Sequence, residues 1–377
     1  MQHISGKGIR LSVVRSKTNL NRKKIFVILL LTLVALTLSA CSGQPLTNTW
    51  PGLSADAERA YLATGSFIYA VDVTTGREVW KYPAEAGNSL LFYANPVLTE
   101  DGQLLIGSVG TTHAFISLDP ATGKENWAEP FAGAKGTWVA SPLVMNGIIY
   151  APNTDGFLYF LDMNGKQVAD PLELGGALWS APATDGELLY IASLDHHLHI
   201  VDQAGSIIGE PIDLGGASPA SPVAGEDGVY AGSFDSTIGF ASSNGDFQTI
   251  AEASNWIWGS PVLDGNTLYF ADLNGSIYSV DVSTGSQNWD ELKPDGPIVA
   301  SPLVAGDQIY FGSEDGVLIA LDRDGKIVWE KTVGGNLYTQ PVLSGVAILV
   351  APYQAEFALA AYDASGKQAW TFIPVKE

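Results

Sequence analysis

Ser301-Pro-Leu-Val-Ala-Gly-Asp-Gln-Ile-Tyr-Phe-Gly-Ser-Glu-Asp-Gly-Val-Leu-Ile-Ala-Leu-Asp-Arg-Asp-Gly-Lys-Ile-Val-Trp-Glu330 reads as four short β-prone runs joined by turns. Ser-Pro-Leu-Val-Ala is a first strand (A) closed by Gly-Asp. Gln-Ile-Tyr-Phe-Gly (B) ends in Ser-Glu-Asp-Gly, and Val-Leu-Ile-Ala-Leu-Asp (C) in Arg-Asp-Gly. Lys-Ile-Val-Trp-Glu is the fourth strand, D. Runs rich in Val, Ile and aromatic residues, punctuated by Asp-Gly turns, form a series of hairpins.

The unit repeats. Its opening proline, usually preceded by Ser or Ala, recurs at Pro51, Pro96, Pro142, Pro182, Pro222, Pro261, Pro302 and Pro341. Spacings of 39 to 46 residues match the period of four-stranded propeller blades. One such sheet has two apolar faces and cannot bury both alone; radial stacking covers each face with a neighbour. No stretch after Cys41 carries a capped helical period. The fold predicted over residues 50–377 is therefore all-β, an eight-bladed β-propeller of four-stranded antiparallel blades.

A second signature marks the turn between strands C and D: Ala70-Val-Asp-Val-Thr-Thr-Gly-Arg-Glu-Val-Trp80. It recurs at Ser117 to Trp127, Ser279 to Trp289, Ala320 to Trp329 and Ala361 to Trp370. This motif resembles the repeat of the pyrroloquinoline-quinone (PQQ) type propellers, a family that includes the BamB-type outer-membrane assembly lipoproteins. The resemblance spans about Trp50 to Pro374. It implies that Trp80, Trp127, Trp289, Trp329 and Trp370 dock each blade on the next. Asp72, Asp119, Asp162, Asp202, Asp281, Asp322 and Asp363 are expected to make Asx-type turns rather than to act chemically. Units three to five lack the strand D tryptophan, and unit five has Ser242 in place of the aspartate. Those blades are expected to be stapled less firmly or by other contacts.

The N-terminus stands apart. Residues 1–40 read as a secretory signal: seven Lys and Arg before an almost purely apolar run from Ile25 to Leu38, then Leu38-Ser-Ala-Cys41. The apolar run is shorter than a spanning helix needs. Cys41 is the single cysteine, and its setting resembles a bacterial lipobox, which implies lipidation there and a tether over residues 41–49. The protein is then expected to be exported and lipid-anchored in the cell envelope, at the periplasmic face of an outer membrane or the outer face of a single membrane.

Removing the signal leaves 12 basic and 40 acidic residues, a net charge of −28. That excludes nucleic acid as a partner and permits a basic protein partner or cations. The chain is read as a monomer apart from such partners.

The family resemblance implies that the loops from strand D to the next strand A, and the B–C turns, share one face near the axis. Those D–A loops carry Phe92, Tyr93, Trp138, Trp179, Trp256, Trp258 and Tyr338, read as an aromatic funnel for a ligand or partner. Rigid rings give contact area at low entropic cost; the plainer alternative is that they pack in the core or plug the channel. The B–C turns carry Asp155, Asp195, Asp235, Asn274 and Asp315, with Asp272, Glu314 and Glu356 nearby. They are either a carboxylate ring or ordinary turn residues. Asp195, His197 and His199 are a weak candidate for metal, short of the four Cys or His ligands of structural zinc.

Two function classes compete with a binding scaffold. Quinoprotein dehydrogenases share the blade repeat, but many carry an adjacent-cysteine disulfide or a haem motif, which one cysteine cannot make. No nucleophile elbow, zincin or phosphate-loop motif is present. The reading is a non-catalytic envelope lipoprotein without a cofactor, a protein-binding scaffold of the outer-membrane assembly kind. The alternative is a surface lipoprotein that binds a sugar, peptide or other solute in the funnel.

Overall fold

The structure is a computed structural model and describes residues 49–294 and 296–375. The signal, Cys41 and nearly all of the tether lie outside the described residues. Every regular element among the described residues is a strand. The strands form eight antiparallel sheets in chain order, seven of four strands and one of three. The three-stranded one is blade 2, where isolated bridges Leu118↔Glu125 and Phe115↔Phe131 stand in place of a continuous fourth strand.

Each blade comes from one contiguous segment, so blade 1 (Gly52–Ala55, Arg59–Thr64, Phe67–Asp72, Glu78–Tyr82) exchanges no strand with blade 8. Closure is by side-chain packing instead. The core divides into eight apolar clusters, each made by two neighbouring blades. The cluster joining Leu349, Leu359 and Phe372 to Leu53, Leu62 and Tyr69 closes the ring. Strand C is buried along its length in most blades, as in Val317–Asp322 of blade 7, because a neighbouring blade covers each of its faces.

The tryptophan signature has a clear geometry. The indole Nε1 of Trp80, Trp127, Trp329 and Trp370 donates to the backbone carbonyl of Pro120, Met163, Ala364 and Val73, at 2.8–3.0 Å. Each acceptor follows the turn aspartate of the next blade. The ring then lies over the turn glycine: a β-carbon at Gly165 would sit 2.5 Å from Trp127. That glycine has φ of +77°, so both its conformation and its cover demand the missing side chain.

The rings are not equally deep. Trp80 and Trp127 are buried, whereas Trp289, Trp329 and Trp370 are half-buried. The Nε1 of Trp289 has no hydrogen-bond partner. The seam it faces carries an ion pair, Arg323 to Asp264 at 2.5 Å.

In blade 3, which lacks the strand D tryptophan, a different group makes the same bond. The Tyr150 hydroxyl of blade 3 donates to the carbonyl of Gln203 at 3.1 Å, the residue after Asp202. All seven turn aspartates accept backbone N–H bonds from residues two to four positions on. The Thr75 hydroxyl holds Asp72 below the usual carboxylate range, and the Ser206 N–H does the same for Asp202.

Candidate functional site

The site is built at the axis, where the D–A loops arrive. Two consecutive residues in each loop alternate in direction, as extended chain requires. Four residues before the repeat proline stand Phe92, Trp138, Leu178, Ser218, Ile257, Ile298 and Leu337, all fully buried between blades. Three residues before it stand Tyr93, Val139, Trp179, Pro219, Trp258, Val299 and Tyr338, and these line a central cavity of about 360 Å³.

The alternation sorts the sequence candidates. Tyr93, Trp179, Trp258 and Tyr338 are at the cavity wall. Phe92 and Trp138 are not at the mouth: both are core residues, and the Trp138 Nε1 donates to the His113 carbonyl at 2.8 Å. Trp256, half exposed at 50%, lies off the cavity wall and stacks on Phe234, with centroids 4.9 Å apart. Phe234 in turn meets Trp258 at 5.4 Å. Both join the aromatic surface through that contact.

Below the rings, the residue just before the proline stitches neighbouring blades. The backbone N–H of Ala181 donates to Ser221 Oγ, that of Ser221 to Ser260, and that of Ser260 to Ser301, at 2.8–2.9 Å. Unit one departs from the pattern, with Trp50 in that place. Its indole stacks on Tyr338 at 4.3 Å and on Tyr93 at 5.5 Å, and tilts against Trp258 at 5.8 Å. Sequence reasoning missed Trp50 because it falls one residue before a proline, out of phase with the other funnel rings. Burial raises the Tyr93 hydroxyl pKa well above its ordinary value.

The B–C acids serve the loops. Asp155 accepts from the N–H of Lys135 at 2.9 Å and from the Tyr159 hydroxyl at 2.7 Å. Asp272 is fully buried and takes the Ser254 N–H, the Ser254 hydroxyl and the Tyr278 hydroxyl. β-Carbons at Gly175, Gly215 and Gly296 would meet Asp195, Asp235 and Asp315 at 2.5–2.7 Å. Each of these acids packs on or anchors the preceding blade's D–A loop, and they do not converge on the cavity. Glu314 is the exception in protonation: burial, with the charge of Asp315, raises its carboxyl above the usual range.

Asp195, His197 and His199 lie on one side of blade 4. Asp195 is 3.6 Å from a ring nitrogen of each histidine, and His199 is buried with neither nitrogen hydrogen-bonded. Among the described residues no three His, Cys, Asp or Glu side chains are grouped to hold a metal ion.

Comparison with known proteins follows the same lines. The profile of the family described as outer membrane protein assembly factor BamB matches residues 64–323 and 293–374. BamB of Burkholderia pseudomallei is 30% identical over 113 residues, 30% of this chain and 29% of that one. The quinoprotein ethanol dehydrogenase of Pseudomonas putida is 27% identical over 118 residues, 28% of this chain and 18% of that one. The aligned stretches thus span under a third of either relative's length. The crystal structure of BamB from Moraxella catarrhalis superposes with a TM-score of 0.64 at 19% identity, covering 85% of this chain and 92% of that one. That likeness concerns the fold alone.

Proposed function

This chain belongs to the family of outer membrane protein assembly factor BamB, and on that premise we propose that it is a non-catalytic, lipid-anchored scaffold of the cell envelope. It holds a protein partner at the funnel face, in the manner of an outer-membrane assembly factor. One observation carries the choice of binding over catalysis. The wall of the central cavity carries no Asp, Glu, His, Lys or Arg, while Asp155 and Asp272 nearby are bonded to loop backbone. A surface with contact area and no free acid–base pair suits recognition.

Cys41 is the lipid site in this reading, with residues 1–40 removed on export. Eight residues separate it from Trp50, a contour of at most about 30 Å. A lipid there would keep the funnel mouth close to the bilayer. The strong negative charge left after cleavage favours a basic partner surface.

Affinity capture from the membrane fraction by the lipidated full chain tests the proposal. The expected result is enrichment of a barrel-assembly component, weakened by Trp179→Ala. Calcium- and quinone-dependent dye reduction would refute it. A second reading, a solute-binding lipoprotein, is favoured by the open volume beside Trp50. It predicts saturable quenching of tryptophan fluorescence by a sugar or peptide with no such capture.

A further inference from the structure

Trp50 is the one ring in the funnel that the repeat does not supply. Elsewhere the position before the proline is Asn95, Ser141, Ala181, Ser221, Ser260, Ser301 or Gln340. Their side chains or backbones bridge blades. In unit one a half-buried indole stands there and projects into the mouth. It meets rings from three loops far apart in the chain: Tyr93 between blades 1 and 2, Trp258 between 5 and 6, and Tyr338 between 7 and 8. Behind it the Pro51 carbonyl accepts the Thr339 hydroxyl. Trp50 stands before a proline, a position that favours extended backbone, and its ring is clamped between others. Space remains beside it, bounded by Trp50, Trp179, Trp258 and Val299.

We propose that Trp50 is an intrachain occupant of a site for the aromatic side chain of an extended peptide, with Tyr93, Trp258 and Tyr338 as the clamp. The inference rests on reading the funnel as a binding surface, and it names the class of partner. The seated segment is itself the argument for the occupant. A flat side chain on extended backbone, followed by a proline whose carbonyl is hydrogen-bonded, is what the site holds. Being tethered, Trp50 competes at a high effective concentration, so a partner peptide must displace it or bind beside it. Trp50 then gates the funnel.

The probe is a fluorescein-labelled peptide with the sequence of residues 46–55, Leu-Thr-Asn-Thr-Trp-Pro-Gly-Leu-Ser-Ala, read by anisotropy against the full chain. The expected result is saturable binding to the Trp50→Ala variant and at least ten-fold weaker binding to the unmodified chain. Binding is lost when the peptide's tryptophan is alanine, and it falls when Tyr338→Ala is added to Trp50→Ala. Trp50→Ser restores the residue type of the other units and serves as the second variant; both are expected to melt within a few degrees of the unmodified chain. Equal binding with and without Trp50, or equal binding of the alanine peptide, would overturn the proposal. Loss of folding in both variants would overturn it too, since Trp50 would then be a structural plug. Peptide binding without capture of an assembly component would leave this site standing and sink the envelope role; the reverse pattern would do the opposite.

Discussion

Replacing Trp127 by alanine removes a ring that is only 7% exposed, stacks on Phe115 at 6.1 Å and covers Gly165 of the next blade. A buried ring of this size carries about 200 Å², and at about 25 cal/mol per Å² its removal costs about 5 kcal/mol. Partial collapse of the seam brings this to the about 3–5 kcal/mol seen for large-to-small core changes. The lost bond to Met163, worth about 1 kcal/mol, is included in that figure. Gly165→Ala adds a second handle. In the unmodified chain it meets both the ring and the positive-φ strain of about 1–2 kcal/mol; beside Trp127→Ala only the strain remains. The two changes should therefore couple by at least about 1 kcal/mol, read from urea denaturation of the two single variants and the double. Strict additivity, or a cost for Trp127→Ala below about 1 kcal/mol, would refute the docking account.

Other expectations follow from the same contacts. Trp329→Ala should cost about half as much as Trp127→Ala, because its ring is half-buried; equal costs would contradict the burial argument. Tyr150→Phe deletes the hydroxyl bonded to Gln203 and should lower stability by about 1 kcal/mol, where no effect would show that this bond does not replace the tryptophan. Burial lowers the pKa of His199, against the opposing pull of Asp195 and with a smaller push from His197. The unfolded chain thus takes up the proton first. The stability tied to this group is full above pH about 6.5 and is lost as pH falls below it. His199→Phe should flatten the melting temperature between pH 5 and 7, and an unchanged slope would exclude this histidine as the source. The turn aspartates, with pKa values held down in Asp72, Asp119, Asp202, Asp281 and Asp363, contribute above pH about 4 and lose that contribution on further acidification. Asp72→Asn should therefore shallow the acid limb of a melting-temperature profile between pH 3 and 6.

The architecture was legible because its signals are periodic. The proline spacing, the Asp-Gly turns and the tryptophan after each C–D turn all mark the same unit, and physical closure of a two-faced sheet leaves few alternatives. The site was legible only in part. Phe92 and Tyr93 are neighbours with opposite fates, and so are Trp138 and Val139. Choosing rings by size alone takes in Phe92 and Trp138, which are core, beside Tyr93, Trp179, Trp258 and Tyr338 at the cavity. Counting back three residues from the proline would have separated them, since strand alternation, not ring size, sets direction. Trp50 escapes that rule because it occupies a seam position. Tyr150 carries no local sign of its role, for its partner Gln203 belongs to the next blade and only the packed ring brings them together. The B–C acids read in one dimension as either a carboxylate ring or ordinary turn residues. In three, each anchors or packs against the loop in front of it.

The central claim is that the funnel face receives a protein partner. A photo-crosslinking amino acid at position 179, at the cavity wall and 36% exposed, can be compared in intact envelopes with one at position 346. Val346 is 87% exposed in an A–B turn, on the face away from the funnel. The account predicts an adduct with an outer-membrane assembly component from position 179 and none from position 346. Adducts of equal yield from both positions, or none from position 179 alongside a folded, exported protein, would contradict it.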